Sequence, residues 1–254
     1  MPTVPYYTKD GTRVCGSTTI GGRFKDSGAL IYWAYKQGVE HEGLRRQGLP
    51  APSRLYDTVE TAASIGTTVH EMVENHIYGG NPLLVLKEAI EACEKDVVLG
   101  LKQEESIEDY RKKAMSGFEA YLAWEEQNKL EIIYQEISLV SEQYRFGGTP
   151  DAIGKLNGKW VLIDWKTSNH IYPDHLIQVA SYGHLIEHGY IIRNGKPSDD
   201  KLGIKPEAFE VCRFAKEYGD FAHHHFPELD MAWEQFKLFR QAFDNDQILK
   251  KRAA

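Results

Sequence analysis

Residues 145–168 read RFGGTPDAIGKLNGKWVLIDWKTS, and the organisation of the chain follows from this stretch. Asn157-Gly158 is a strong hairpin signal, because a two-residue type I′ turn needs positive φ at both central positions. It predicts one strand over Arg145–Leu156, carrying Gly147-Gly148, and another over Lys159–Lys166. Upstream, Leu130–Val140 is dense in Ile, Leu, Val and Tyr and reads as a strand. The three consecutive strands form an antiparallel meander. Side chains alternate along a strand, so Asp164 and Lys166 share one face and Trp165 points to the other. Pairing centred on Asn157-Gly158 sets Asp151 opposite Asp164 or Lys166, to within a residue or two. Two carboxylates and an ammonium therefore converge at one end of a sheet.

That combination suits phosphodiester hydrolysis. Hard oxygen ligands hold Mg²⁺ or Mn²⁺ while leaving waters on the ion, and such an ion activates water and neutralises charge at phosphorus. Lys166 is placed to orient or deprotonate the water, or to stabilise the developing oxyanion. An Asp–Lys ion pair on a surface hairpin is the bland alternative. It does not explain why Asp151 and Asp164 fall among Ile153, Val161, Leu162, Ile163 and Trp165, where an unpartnered polar group is costly.

Working outward, the first 25 residues are rich in Thr, Gly and Pro and read as irregular. Helical spacing predicts helices over Asp26–Gln37, Asp57–Tyr78, Pro82–Leu99 and Ser106–Gln127, with residues 41–56 as a connection. Asp57 and Glu60 have capping-box spacing, Pro82 occupies a first helical position, and Gly66 marks a bend or a close approach. After the meander, Pro173 opens a helix to His188. Residues 194–206 read as loop, Phe209–Phe214 and Asp220–Phe226 as strands, and Glu228–Leu249 as a closing helix. Helix, three-strand meander, helix and strand in this order imply an α/β sandwich rather than a doubly wound parallel sheet.

The 254 residues suit one domain, divided as a mainly helical cover (1–128), a catalytic sheet core (129–226) and a closing helix (227–254). An apolar content of 42% supports a core, and no apolar run approaches the roughly 20 residues that span a bilayer. The start MPTVPYY lacks the pattern of a secretory signal, and Cys15, Cys93 and Cys212 are far apart, so the expectation is a cytoplasmic protein with reduced thiols. A net charge of −7 is a weak argument against a nucleic-acid partner, since positive charge is needed only along a strand path.

The quoted motifs carry a resemblance. Gly-Gly-Thr-Pro-Asp151, Ile-Asp164-Trp-Lys166-Thr-Ser, Gln178-Val-Ala-Ser-Tyr182 and, upstream, Gly66-Thr-Thr-Val-His70 are similar, in this order, to the motifs of PD-(D/E)XK nucleases of the RecB-like type. The likeness is greatest to the group of the mitochondrial genome maintenance exonuclease and related phage nucleases, and runs from about residue 57 to 190. It implies a restriction-endonuclease-like core. It further implies that His70, Asp151, Asp164 and the Trp165 carbonyl bind Mg²⁺ or Mn²⁺, that Lys166 is catalytic, and that Gln178 and Tyr182 orient the site or the phosphate backbone. Glu136 matches a glutamate ahead of the first aspartate, and Glu74 lies one helical turn beyond His70. DNA is the implied partner, as single strands or strand ends, with exonuclease activity in recombination, repair or replication and proteins of those processes as further partners. Some RecB-type nucleases hold an iron–sulfur cluster on four cysteines; three without suitable spacing predict none here.

Other readings compete. His184-Leu-Ile-Glu187-His188 has the spacing of a zinc-protease motif, but the helix that carries it also carries Gln178 and Tyr182 and stops at Gly189. A non-catalytic DNA-binding scaffold on a nuclease fold is a further alternative, disfavoured by the intact His70, Asp151, Asp164 and Lys166. His223, His224 and His225 read as an ordinary exposed strand. Trp33, Trp124, Trp233, Phe236, Phe239 and Phe243 read as core rather than as stacking surfaces for bases. Arg13, Arg23, Lys25, Lys36, Arg45 and Arg46 are candidate phosphate contacts. Cutting polarity and oligomeric state are not legible.

Overall fold

A computed structural model describes residues 5–25, 28–49, 57–98, 105–215 and 220–253. The chain runs β1 (Tyr6–Tyr7), β2 (Arg13–Gly16), α1 (Ser17–Gly22), α2 (Gly28–Arg46), α3 (Asp57–Ile77), α4 (Pro82–Val98) and α5 (Glu105–Asn128). Then come β3 (Glu131–Gln135), β4 (Leu139–Ser141), β5 (Phe146–Gly148), β6 (Ala152–Leu156), β7 (Lys159–Thr167) and α6 (Pro173–His188). The remainder is β8 (Tyr190–Arg193), β9 (Lys196–Lys201), β10 (Ala208–Phe214), β11 (Phe221–Phe226) and α7 (Asp230–Ala253).

Two sheets result. One has the order β11-β10-β7-β6-β3, and the other β1-β2-β5-β4-β8-β9. The meander β3–β6–β7 is antiparallel, turned at Asn157 and Gly158 with φ of 50° and 81°. The chain then crosses over through α6 and returns as β10, parallel to β7. This is the mixed α/β architecture of a restriction-endonuclease-like fold, preceded by a helical region.

Burial on both faces of β7 explains its nearly continuous apolar sequence. Val161, Ile163 and Trp165 pack with Val69, Met72, Tyr121 and Phe214 under α3–α5. Leu162 packs on the opposite side with Val179, Leu185, Phe146 and Phe236. Alternation assigns Asp164 and Lys166 to this second, α6-facing side.

Several expectations need correction. The long strands over 130–140 and 145–156 are each broken and shared between the sheets. Glu136 takes a left-handed φ of 48° between β3 and β4, and Pro150, which has no N–H to give to a ladder, lies between β5 and β6. The supposed loop 194–206 holds the β8–β9 turn and β9 itself, with Asn194 and Gly195 at φ of 52° and 74°. This is the same turn chemistry as at Asn157-Gly158, overlooked because Lys196–Lys201 is polar. The irregular first 25 residues contain β1, β2 and α1, and α2 runs to Arg46, through the start of the supposed connection. Residues 50–56, Leu99 and the Asp57 and Glu60 side chains lie outside what is described. α3 is continuous through Gly66; a Cβ there would sit 2.9 Å from Thr167 Cβ, so this glycine serves a close approach to β7.

Among the expected core aromatics, Trp124, Phe236 and Phe243 are buried, while Trp233 and Phe239 are partly so. Cys93 and Cys212 are buried and Cys15 half-buried, all free thiols. No helix among the described residues is long and apolar enough to cross a membrane.

Candidate active site

The two strand breaks coincide, and the site forms beside them. The β6–β7 ladder ends at Ala152↔Ile163, so Asp151 is set at the level of Asp164. Its carbonyl accepts the Glu136 N–H at 3.0 Å, and its Oδ2 accepts the Trp165 N–H at 2.8 Å. A Ser138–Thr149 hydroxyl contact of 2.9 Å ties the two bends together. Asp151 thus leaves the sheet where a side chain can face β7 without a cross-strand partner.

Asp164 has no solvent exposure. Lys166 Nζ lies 2.5 Å from its Oδ2 as a tight ion pair, and Oδ1 is buried without a partner. Lys166 also donates to Gln178 Oε1 at 3.3 Å. Gln178 Nε2 donates in turn to the Tyr182 hydroxyl at 2.7 Å and to Thr18 Oγ1 at 3.3 Å. Gln178 and Tyr182 are one helical turn apart, which lets one face of α6 hold the lysine from above the sheet.

From the other side, α3 brings His70, whose ring centroid is 6.0 Å from that of Trp165. Glu74 Oε1 is 3.2 Å from His70 Nε2, near enough for an ion pair but not aligned as a hydrogen bond, so the buried Nε2 is unsatisfied. Glu136 lies at the rim, where it accepts from Tyr78 at 3.4 Å.

These groups perturb one another. Burial, then the neighbouring Asp164 carboxylate, pushes Asp151 up to about 7, against the pull of Lys166 and His70. Burial disfavours the charged form of Lys166, but Asp164 and Asp151 outweigh it and the ammonium is held above its ordinary range. His70 follows the same pattern: burial is outweighed by Glu74, Asp151 and Asp164, and its pKa rises. Burial drives the Tyr182 hydroxyl up to about 12, keeping it a protonated donor and acceptor.

Among the described residues no three His, Cys, Asp or Glu side chains are gathered into a ready-made metal cage. The donor set nonetheless fits a hard divalent ion. Asp164 Oδ1 is buried without a partner, and the buried His70 Nε2 is met only by the poorly aligned Glu74 carboxylate; such groups are costly unless something completes them. Mg²⁺ in particular requires only one or two carboxylates from protein and fills its remaining positions with water and substrate.

A family model described as the PD-(D/E)XK nuclease superfamily matches residues 39–225, well over half of the chain. The chain belongs to the PD-(D/E)XK nuclease superfamily. Membership supports a phosphodiester-hydrolysing nuclease, in a superfamily that generally uses divalent ions such as Mg²⁺. No curated protein matches the chain. Among solved structures it is similar to one described as the crystal structure of SSO0001, with 13% identity, a TM-score of 0.30, and coverage of 64% of this chain and 70% of that one. So remote a likeness carries no function.

Elsewhere, the histidines depart from expectation. His223 and His225 are not an ordinary exposed pair: they bracket the fully buried Glu210 at 2.6 and 2.8 Å. Glu210 is not legible in the sequence, because Phe-Glu-Val in a strand signals alternation, not a carboxylate pointing inward. His184 stacks on Trp233 with centroids 4.4 Å apart, and His184 and His188 line a cavity of about 670 Å³ with Glu187. His184 shares no hydrogen-bonded contact with the Gln178–Tyr182 face: its partner is Ser141, at 3.2 Å. The candidate phosphate contacts are largely engaged: Arg23 with Asp246, Lys25 with Asp174 and Arg46 with Glu42, while Lys36 sits over the Tyr32 ring. Arg13 is exposed. Thr18 was not foreseen at the site; nothing in a Thr-rich, Gly-rich stretch distinguishes it.

Proposed function

We propose that this chain is a divalent-metal-dependent DNA nuclease of the RecB-like type, acting as an exonuclease on single strands or strand ends. The observation that carries the reading is the buried Asp151–Asp164–Lys166 group, in which Lys166 meets Asp164 Oδ2 and leaves Asp164 Oδ1 without a partner. His70, Asp151, Asp164 and the Trp165 carbonyl would hold Mg²⁺ or Mn²⁺. When bound, the ion supplies an activated water and offsets charge at the scissile phosphate. Lys166 keeps its proton under the influence of both aspartates and presents an ammonium toward attacking water and developing oxyanion. Gln178 Oε1 fixes the direction of that ammonium, and Tyr182 fixes Gln178. Glu74 orients His70, and Glu136 borders the path of the strand. A cytoplasmic role in recombination, repair or replication accords with this activity, and rests on resemblance alone.

The test is cleavage of end-labelled single- and double-stranded DNA with Mg²⁺, Mn²⁺ or EDTA. Cutting that requires the ion and is lost in Asp164→Asn and Lys166→Ala, with fold and most DNA binding kept, supports the assignment. Full activity in either purified variant sinks it. Salt-sensitive DNA binding without cutting by the wild type would instead indicate a scaffold.

A further inference from the structure

The β1–β2–α1 segment lies outside the matched residues 39–225, yet it touches the site at two separate places. At the first, β2 runs parallel to β5 through Cys15↔Phe146 and Gly16↔Gly147, immediately before the bend that carries Asp151. The Tyr6 ring covers Gly147 so closely that a Cβ there would be 2.1 Å from Tyr6 Cγ. The Tyr6 hydroxyl then reaches Thr149 Oγ1 at 3.0 Å. At the second, α1 packs on α6. The buried Ser17 and Ser181 hydroxyls meet, Ser181 Oγ donates to the main-chain carbonyl of Gln178 at 2.6 Å, and Thr18 Oγ1 accepts from Gln178 Nε2 at 3.3 Å.

The second contact has a chemical consequence. A primary amide has two N–H donors and one carbonyl acceptor, and a flip exchanges their places. Here the two N–H groups of Gln178 are directed at two hydroxyl oxygens, those of Thr18 and Tyr182. The carbonyl is thereby turned to Lys166 Nζ. In the flipped state N–H groups would face an ammonium, donor against donor, and both hydroxyls would lose their donors. Tyr182 alone leaves one N–H free to seek another partner.

We propose that Thr18 is a positioning residue of this nuclease: it holds the Gln178 side-chain amide with its carbonyl toward Lys166. Tyr6 does the corresponding work for the Asp151 bend through Thr149. The inference rests on the phosphodiesterase reading of the Lys166 site, and it makes the β1–β2–α1 segment part of the machinery rather than a decoration of it. Thr18 is exposed, so removing its hydroxyl leaves the core untouched.

The experiment compares wild type, Thr18→Val, Thr18→Ser and Tyr6→Phe. Thr18→Val is expected to lower kcat by about three- to ten-fold, the effect of one lost hydrogen bond, with KM unchanged. Thr18→Ser restores kcat, Tyr6→Phe lowers it, and the melting temperature of Thr18→Val stays at the wild-type value. In parallel, NMR follows exchange of the Gln178 side-chain amide protons without ion or DNA, where Thr18→Val should accelerate exchange and Thr18→Ser should not. Wild-type kcat in Thr18→Val, a Ser variant as slow as the Val variant, or a loss wholly in KM overturns the proposal. A wild type that does not cut would refute the nuclease reading. The amide exchange would still decide the role of Thr18, with unchanged exchange in Thr18→Val counting against it.

Discussion

Asp151→Asn should stabilise the protein while destroying its proposed activity. In the wild type the carboxyl is raised from 3.8 to about 7, by burial and by Asp164. The folded state therefore binds this proton more tightly than the unfolded chain does. The linkage runs accordingly: the folded state carries no penalty below about pH 4, where both states are protonated. Stability is then lost as pH rises from about 4 to about 7, and the loss is complete above that. Three pH units at about 1.4 kcal/mol each set a ceiling of about 4 kcal/mol. Because the carboxylate is coupled to Asp164 and Lys166, about 1–3 kcal/mol is the expected size. Asparagine keeps an oxygen for the Trp165 N–H, now met at 2.8 Å, and cannot ionise. Urea unfolding in EDTA should therefore show the variant about 1–3 kcal/mol more stable at pH 8 and nearly equal at pH 4.5. Adding Mg²⁺ or Mn²⁺ should narrow the gap at pH 8, because an ion that binds only the folded wild type stabilises it by mass action. A variant that is less stable than wild type at pH 8 would refute the electrostatic argument. Equal stabilisation of both proteins by the ion would refute Asp151 as a ligand.

Gly66→Ala places a methyl 2.9 Å from Thr167 Cβ. The gain in helix preference of about 1 kcal/mol is outweighed by overpacking of about 1–3 kcal/mol, so thermal unfolding should show a net loss, and a higher melting temperature would contradict the packing. Because Thr167 follows Lys166, cleavage should also slow. Glu210→Ala removes a buried acceptor from His223 and His225 and should cost about 1–3 kcal/mol in denaturant unfolding, without altering cleavage at saturating DNA. An unchanged midpoint would show that the histidines find other partners. For His184, burial first and then His188 and Lys237 lower its pKa to about 4. The unfolded chain thus takes up this proton first, and stability should fall as pH drops from about 6.5 toward 4. That part of the acid sensitivity should vanish in His184→Phe.

The sequence disclosed the meander because its evidence is local. Asn157-Gly158 specifies a turn by backbone sterics alone, and alternation along Val161–Trp165 assigns faces without knowledge of the rest of the chain. The convergence of Asp151 and Asp164 followed from that register, and the structure indeed sets them at the same level of adjoining strands. The placing of Gln178 and Tyr182 beside Lys166 was suggested by a resemblance, since helical spacing puts them on one face but not over Lys166. What stayed hidden depends on contacts distant in sequence. Glu210 points inward only because β11 supplies His223 and His225. Thr18 meets Gln178 only because α1 packs against α6, 160 residues away along the chain.

The break of the meander was hidden for a subtler reason. Leu130–Val140 and Arg145–Leu156 are each apolar enough to be one long strand, and the Pro150 signal against it in the second is outweighed by the apolar residues around it. Both depart from the sheet at the same level, where Glu136 turns through positive φ and Pro150 withholds an N–H. A continuous pair would have sealed the edge of β7 beside Asp164 with cross-strand partners. The coincident breaks instead send β4 and β5 into the second sheet, where β2 lies alongside β5. They release Asp151 to cap the Trp165 amide and leave its carboxylate facing Asp164. The same irregularity that ends the ladder thus leaves the buried carboxylates without cross-strand partners and recruits the N-terminal segment. Repairing it would close the site: Pro150→Val with Glu136→Thr, which favour an extended backbone, should lower ion-dependent cleavage more than either substitution alone.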